Sequence, residues 1–215
     1  MKKLIFAALL AVCGAGSAFA QTSQGSIAIS GNVNISATDN ESTSFDPAGQ
    51  QTITIIGKGA GVYVTPSFGY FISDGLEIGA SLGLNYYSSK SETYNSASKM
   101  YGVNLSPYLR KYTQLLDRLM LHGTGYVLAG KNKYITDPGD NQHENHETVL
   151  EAGIYPGLTY FVTDRFGINT NFGSLAYKRI TTKPENGMGK NVEKDFRANL
   201  SLSTITFGLS YFISR

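Results

Sequence analysis

The sequence predicts an all-β fold, an eight-stranded antiparallel up-and-down transmembrane β-barrel, and three observations carry that reading. One hairpin sentence occurs twice: Pro66 to Ile78 reads P-S-F-G-Y-F-I-S-D-G-L-E-I and Pro156 to Ile168 reads P-G-L-T-Y-F-V-T-D-R-F-G-I, 90 residues apart at every matched position. Apolar and small polar residues alternate through most of the chain, as strands with one apolar face require. Long polar connections alternate with short turns, the rhythm of a chain that threads a wall eight times.

Parity defines the strands in order. Ile27, Ile29, Val33 and Ile35 share the apolar face of the first, which is expected to end near Ala37. Residues 38–51, with Asp46-Pro47 and Gly49, read as a loop. In the second strand Ile53 and Ile55 are followed by Gly57, Gly59 and Gly61, where parity slips before Val62, Val64, Phe68 and Tyr70. Such a slip predicts a bulge or bend. The third strand sets Leu76, Ile78, Ala80, Leu82, Leu84 and Tyr86 against Glu77, Gly79, Ser81, Gly83 and Asn85. Residues 88–100 read as a second loop.

The fourth strand carries Tyr101, Val103, Leu105, Pro107 and Leu109 opposite Asn104, Ser106, Tyr108 and Arg110, and Asp117-Arg118 turns it back. The fifth places Leu119, Leu121, Val127 and Ala129 opposite His122, Thr124 and Tyr126. A third loop spans about 131–147. The sixth strand sets Leu150, Ala152, Ile154, Leu158 and Tyr160 against Glu151, Gly153, Tyr155 and Gly157. The seventh has Phe166, Ile168 and Phe172 opposite Asn169 and Asn171, and a fourth loop covers 178–195. Leu200 and Leu202 open the eighth strand, and Ile205, Phe207, Leu209, Tyr211 and Ile213 close it.

The chain is one domain behind a leader. Lys2 and Lys3, an apolar run from Leu4 to Val12 and Ala18-Phe19-Ala20 make residues 1–20 a secretory signal, leaving 21–215 as the barrel domain. Cys13, the only cysteine, leaves with the signal, which excludes disulfide and thiolate chemistry from the mature chain. Removing Lys2 and Lys3 leaves 16 basic against 16 acidic residues, a balance that argues against nucleic acid as a partner. Past residue 20 no apolar run approaches the ~18 residues of a membrane helix, so spanning requires a closed barrel. A strand rising ~3.3 Å per residue at ~40° crosses a ~25 Å apolar band in about ten residues.

A soluble barrel would show the same alternation with its polar face in water. That face would be rich in lysine and glutamate, yet charged residues make up 16 % of this chain, against about 25 % in soluble domains. The polar face here is Gly, Ser, Asn and Thr with isolated charges at Glu77, Arg110, Glu151 and Arg197, which suits the cramped lumen of eight strands. Tyr70, Phe71, Tyr112, Tyr160, Phe161, Phe166, Tyr211 and Phe212 lie beside the short turns and read as one interfacial girdle; Tyr86, Tyr87, Tyr101, Tyr134 and Tyr177 read as the other.

The paired Pro-x-φ-x-Tyr-Phe-φ-Ser/Thr-Asp segments, Ser106-Pro107-Tyr108-Leu109-Arg110-Lys111-Tyr112 and Phe207-Gly208-Leu209-Ser210-Tyr211-Phe212 resemble the small outer-membrane β-barrel family that includes OmpX- and OmpA-type barrels of Gram-negative bacteria. The resemblance is one of pattern over nearly the whole mature chain. It implies residence in the outer membrane, contact with outer-membrane lipid and delivery by the barrel-insertion machinery. Members usually finish on an aromatic residue; with Ile213-Ser214-Arg215 at the end, Phe212 or Ile213 is expected to serve.

Three motifs suggest chemistry. Gly79-Ala80-Ser81-Leu82-Gly83 matches a nucleophile elbow, but the alternation runs straight through where a strand-to-helix turn is needed. Gly125 to Lys131 approaches a phosphate loop, but Asn132 replaces the Mg²⁺-binding hydroxyl and no helix pattern follows. In the third loop Asp137, Asp140, His143, Glu144, His146 and Glu147 lie within eleven residues. The subset Asp140, His143, His146 and Glu147 could hold a divalent cation, whereas a solvated acidic loop is the plainer reading. No catalytic residue and no cofactor is therefore assigned. The expected role is a non-enzymatic surface or envelope protein acting through its extracellular loops, with a possible extracellular ligand, and not an open porin. The alternatives are a lipid-directed outer-membrane enzyme and a small-solute or hydrophobic-ligand channel.

Overall fold

The computed structural model describes residues 20–45, 52–91, 93, 96–137, 143–184, 189–199 and 206–214. Ten strand segments build an eight-stranded wall: β1 (Ile27–Phe45), β2 (Thr52–Ser73), β3 (Leu76–Ser91), β4 (Ser96–Leu116), β5 (Leu119–Asp137), β6 (His143–Phe161), β7 (Phe166–Asn171), β8 (Ser174–Pro184), β9 (Asn191–Asn199) and β10 (Thr206–Ile213). Segments β7 and β8 are the two halves of the seventh wall strand, and β9 and β10 those of the eighth. Each wall strand pairs antiparallel with its sequence neighbours, and β1 pairs with β10 from Ile27↔Ile213 to Gly31↔Leu209, which closes the barrel. The predicted fold class is the observed one. No described helix is long and apolar enough to cross a membrane; the strands do the crossing. Except for Ala20, the predicted signal segment and its Cys13 lie outside the described residues, as do Pro138–Gln142, Leu200, Leu202 and Ile205.

The exterior establishes what surrounds the wall. Ile29, Phe68, Ile78, Leu82, Leu105, Leu109, Val127, Leu150, Ile154 and Leu209 all expose 40 % or more of their surface. A continuous apolar band of this kind belongs in hydrocarbon. Tyr70, Tyr160 and Tyr211 edge it on the short-turn side, and Tyr86, Tyr101 and Tyr177 on the other. Six other aromatics correct the girdle reading: Phe71, Tyr112, Phe161 and Phe212 turn inward and are buried, Tyr87 turns inward against Gly59 and Gly61, and Tyr134 shares the inward face of β5 with Asn132.

The three short turns fall where the sequence places them. Gly75 takes φ 66, a left-handed conformation that favours glycine. In the second copy, where Arg165 stands at the matching place, the Thr163 hydroxyl instead accepts hydrogen bonds from the Arg165 and Phe166 amides, at 3.3 and 3.1 Å. Residues 20–26 cross beneath this rim: Gln24 N donates to Asp74 Oδ1 at 2.8 Å and Gly75 N to Thr22 O at 2.8 Å.

The long connections differ from expectation. The β1–β2 ladder continues to Phe45↔Thr52, β3–β4 to Ser91↔Ser96, β5–β6 to Thr136↔His143, and β8–β9 to Thr182↔Asn191. Most of the residues read as loops are therefore strands. Both of their faces meet water beyond the apolar band, so the alternation that marks a strand disappears while the backbone ladder persists. The bulge expected at Gly57–Gly61 is also absent, since register runs unbroken through it. A Cβ at Gly59 would overlap the Tyr87 hydroxyl and one at Gly61 would lie 2.8 Å from the Tyr87 ring; these glycines make room for a tyrosine. Register shifts occur instead at Phe71/Ser73 and Gln114/Leu116.

Beyond Gly31, β1 pairs only with β2, and β9 pairs only with β8, among the described residues. Ile35 on this seam is 79 % exposed.

Candidate functional site: the filled lumen and the upper hairpins

Parity predicts that Glu77, Tyr108, Arg110, Tyr126, Glu151 and Tyr155 point inward, and the structure brings them together in the lumen. Glu77 on β3 is fully buried. It accepts a hydrogen bond from Tyr108 Oη at 2.5 Å and another from Tyr112 Oη at 3.0 Å. Arg110 Nη1 lies 3.7 Å from its carboxylate. The guanidinium also donates to Thr124 Oγ1 on β5 at 2.9 Å and to Tyr155 Oη on β6 at 3.4 Å, and it sits 5.0 Å over the Tyr108 ring. Four adjacent wall strands thus contribute to one charged knot. Every oxygen and most N–H groups of that knot are matched, which a charge buried this deeply requires. Gly69 and Gly79 are bare for the same reason: a Cβ at Gly69 would overlap the Glu77 carboxylate, and one at Gly79 would lie 2.5 Å from Tyr108 Oη.

Toward the long hairpins, Tyr126 Oη donates to Glu151 Oε1 at 2.5 Å, and the Tyr126 and Tyr155 rings stand 5.7 Å apart. Toward the short turns, Ala28, Phe71, Tyr112, Met120, Phe161 and Phe212 form an apolar floor drawn from six wall strands. A polar chain from Thr159 through Asn169 to Ser210 and Ser30 crosses beside it. His122 is buried against Tyr112, with ring centroids 5.6 Å apart, and neither ring nitrogen meets hydrogen-bond geometry with a protein atom. The sequence reading missed Tyr112 and the floor because their nearness to turns suggested a girdle. Strand parity alone, which sets Tyr112 with Tyr108 and Arg110, would have found them.

The motifs are strand, not catalytic turn. Ser81 sits mid-strand in β3 and its hydroxyl donates to Ser106 O at 3.3 Å. Gly125–Lys131 lies inside β5.

The third hairpin distributes its acids and histidines over two faces. Register places Glu144 and His146 outward with Ile135 and Lys133, and Glu147 inward with Asn132. Glu144 pairs with Lys133 Nζ at 2.7 Å, and Glu147 accepts from Asn132 Nδ2 at 3.3 Å. Asp140 lies outside the described residues, and among those described no three His, Cys, Asp or Glu side chains form a metal-holding group. Zn²⁺ titration of folded protein in detergent is expected to give the same weak response for the wild type and for His143→Ala/His146→Ala. A response lost in the double variant would instead assign a cation to this hairpin.

No protein-family model matches the chain, and no curated protein matches it in sequence. Several solved structures are similar in shape. One is Neisserial surface protein A, at 16 % identity and TM-score 0.41 over 87 % of this chain and 97 % of that one. Another is the outer membrane protein OprG from Pseudomonas aeruginosa, at 11 % identity and TM-score 0.43 over 92 % and 100 %. A third is Ail, the attachment invasion locus protein of Yersinia pestis, at 14 % identity and TM-score 0.39 over 88 % and 99 %. Likenesses this distant carry nothing about activity, which must be read from the lumen and the wall.

Proposed function

We propose that this chain is an integral outer-membrane protein that catalyses nothing and conducts almost nothing, and that it acts through the hairpins it raises above the membrane. The observation that supports this best is the division of labour along the barrel. The lumen at the level of the apolar band is occupied by Glu77, Arg110 and the tyrosines that bind them. The same wall strands continue past the aromatic edge as polar ladders, the β1–β2 pair reaching Phe45↔Thr52. A rigid barrel presenting large polar hairpins suits contact with an extracellular ligand or stabilisation of the envelope. The partners implied are outer-membrane lipid around the band, the barrel-insertion machinery during assembly and a ligand of the hairpins. Neither a cofactor nor nucleic acid enters this reading.

Two measurements test it together. Membrane fractionation with unheated and heated denaturing gels is expected to place the chain in the outer membrane, with a fold-dependent shift in mobility. Recovery in the soluble periplasm without that shift would sink the proposal. In planar bilayers the folded protein is expected to give no stable single-channel steps of porin size, because eight strands leave a lumen that side chains fill. Such steps would favour the channel reading instead.

A further inference from the structure

Among the described residues, outward-facing basic side chains on β5, β6, β8 and β9 outnumber the acids beside them. Across β5, β6 and β8, Lys133, His146 and Lys183 stand in one row, each directly opposite the next. In the next row toward the apolar band, Lys131 faces Thr148, which in turn faces Thr181. In the row after that, Arg179 faces Lys194 across β8 and β9. All but Lys133 are exposed. Among the described residues the outward acids here are Glu144, already paired with Lys133, and Asp137, at the far end of β5. On β1, β2 and β3 outward Lys58 also stands opposite a lysine, Lys90, but Asp39 lies directly across from Lys58 on its other side and supplies a counter-charge.

Like charges directly opposite in an antiparallel pair are a few ångströms apart and repel. One such contact, Arg179 opposite Lys194 with Lys183 further along the same face of β8, calls for a counter-charge from outside the chain. Their height says where it comes from. The row just inside Arg179 and Lys194 is Tyr177 opposite Phe196, both exposed at 47 % and 66 %. Two residues along a strand are about 7 Å, so Arg179 and Lys194 stand at the head-group margin of the apolar band, above Tyr177 and Phe196 and with exposed Leu150 opposite Arg179. Beneath them Leu175 and Ile154, exposed at 41 % and 57 %, offer a surface for acyl chains. Arginine and lysine so placed suit phosphate, the arginine through two parallel N–H groups.

We propose that the outward face of β5, β6, β8 and β9 above Tyr177 and Phe196 is a binding site for a phosphate-bearing lipid head group of the outer leaflet. The proposal rests on the membrane-spanning reading above and adds a specific lipid to it. Arg179, Lys194 and Lys183 grip the phosphates, while the aromatic row and the apolar wall below take the chains.

Native mass spectrometry of the folded protein in mixed micelles, with bisphosphorylated lipid A as the probe, tests it. Each cation near a charged membrane surface is worth about fivefold in affinity. The Arg179→Gln/Lys183→Gln/Lys194→Gln variant is therefore expected to retain lipid A roughly a hundredfold more weakly. A control triple at the opposite rim, Lys111→Gln/Arg118→Gln/Arg165→Gln, should bind as the wild type does. Equal retention by both triples overturns the proposal, and so does displacement of lipid A by inorganic phosphate at equal concentration, which would mark a free-phosphate site. The gel-mobility shift of each sample shows that the barrel is folded, so loss of lipid binding is separable from failure of the membrane reading. Should the first triple not fold, the wild type alone decides. Raising salt from about 0.1 M to about 1 M shortens the screening length from ~10 to ~3 Å and is expected to release the lipid, whereas salt-insensitive retention would refute the assignment.

Discussion

Glu77→Leu is expected to lower the unfolding free energy by about 3–5 kcal/mol, the usual cost of removing one partner from a buried ion pair. The reason lies in what the change leaves behind. Arg110, 8 % exposed, would keep its charge in the lumen with only neutral oxygens of Thr124, Tyr112 and Tyr155 to receive it. Tyr108 and Tyr112 would each lose the carboxylate to which they donate. Arg110→Met is expected to cost a similar amount by stranding the carboxylate. Because the two share one network, their effects should not add: Glu77→Leu/Arg110→Met should cost less than either single change. Urea unfolding in detergent or lipid vesicles, followed by gel mobility, measures all three. A double variant whose loss equals the sum of the singles would show that Glu77 and Arg110 act separately, against the 3.7 Å approach of their charges.

This network was partly legible in the sequence, and what hid the rest is physical. Glu77 and Arg110 were readable because a charge on the small-residue face of an alternating strand has only the lumen to enter. Tyr112 obeys the same parity, yet an aromatic beside a turn is equally at home in an interfacial girdle, and position outweighed parity in that reading. The repeat also led correctly to two hairpins of like form. It concealed that Gly75 in one is replaced by a hydroxyl-capped turn at Thr163 in the other. Strand ends above the membrane were the least legible, since water on both faces erases the pattern. The cation rows were invisible until register was known: Arg179 and Lys194 are fifteen residues apart in sequence and become neighbours only through the β8–β9 ladder.

Phe212→Ala should be comparably damaging, at about 3–5 kcal/mol, by the cavity it leaves in a packed interior. Phe212 has no exposed surface, and its ring lies 5.0 Å from Phe161 and 6.3 Å from Phe71. Its backbone amide also donates to Arg165 O at 2.8 Å, so the side chain sits where the last wall strand is tied to the turn beside it. Both neighbours of Phe212 in sequence face the other way, with Tyr211 and Ile213 exposed at 43 % and 45 %. A side chain turned toward lipid would lose far less on truncation than one locked in the floor. Phe212→Leu separates the two placements, because a leucine refills most of the space and a near volume-conserving exchange usually costs less than about 1.5 kcal/mol. The expected order in urea is therefore wild type, then Phe212→Leu slightly below, then Phe212→Ala well below. Equal and small losses for leucine and alanine would place Phe212 outside the floor, and with it the seal that closes the lumen at the short-turn end.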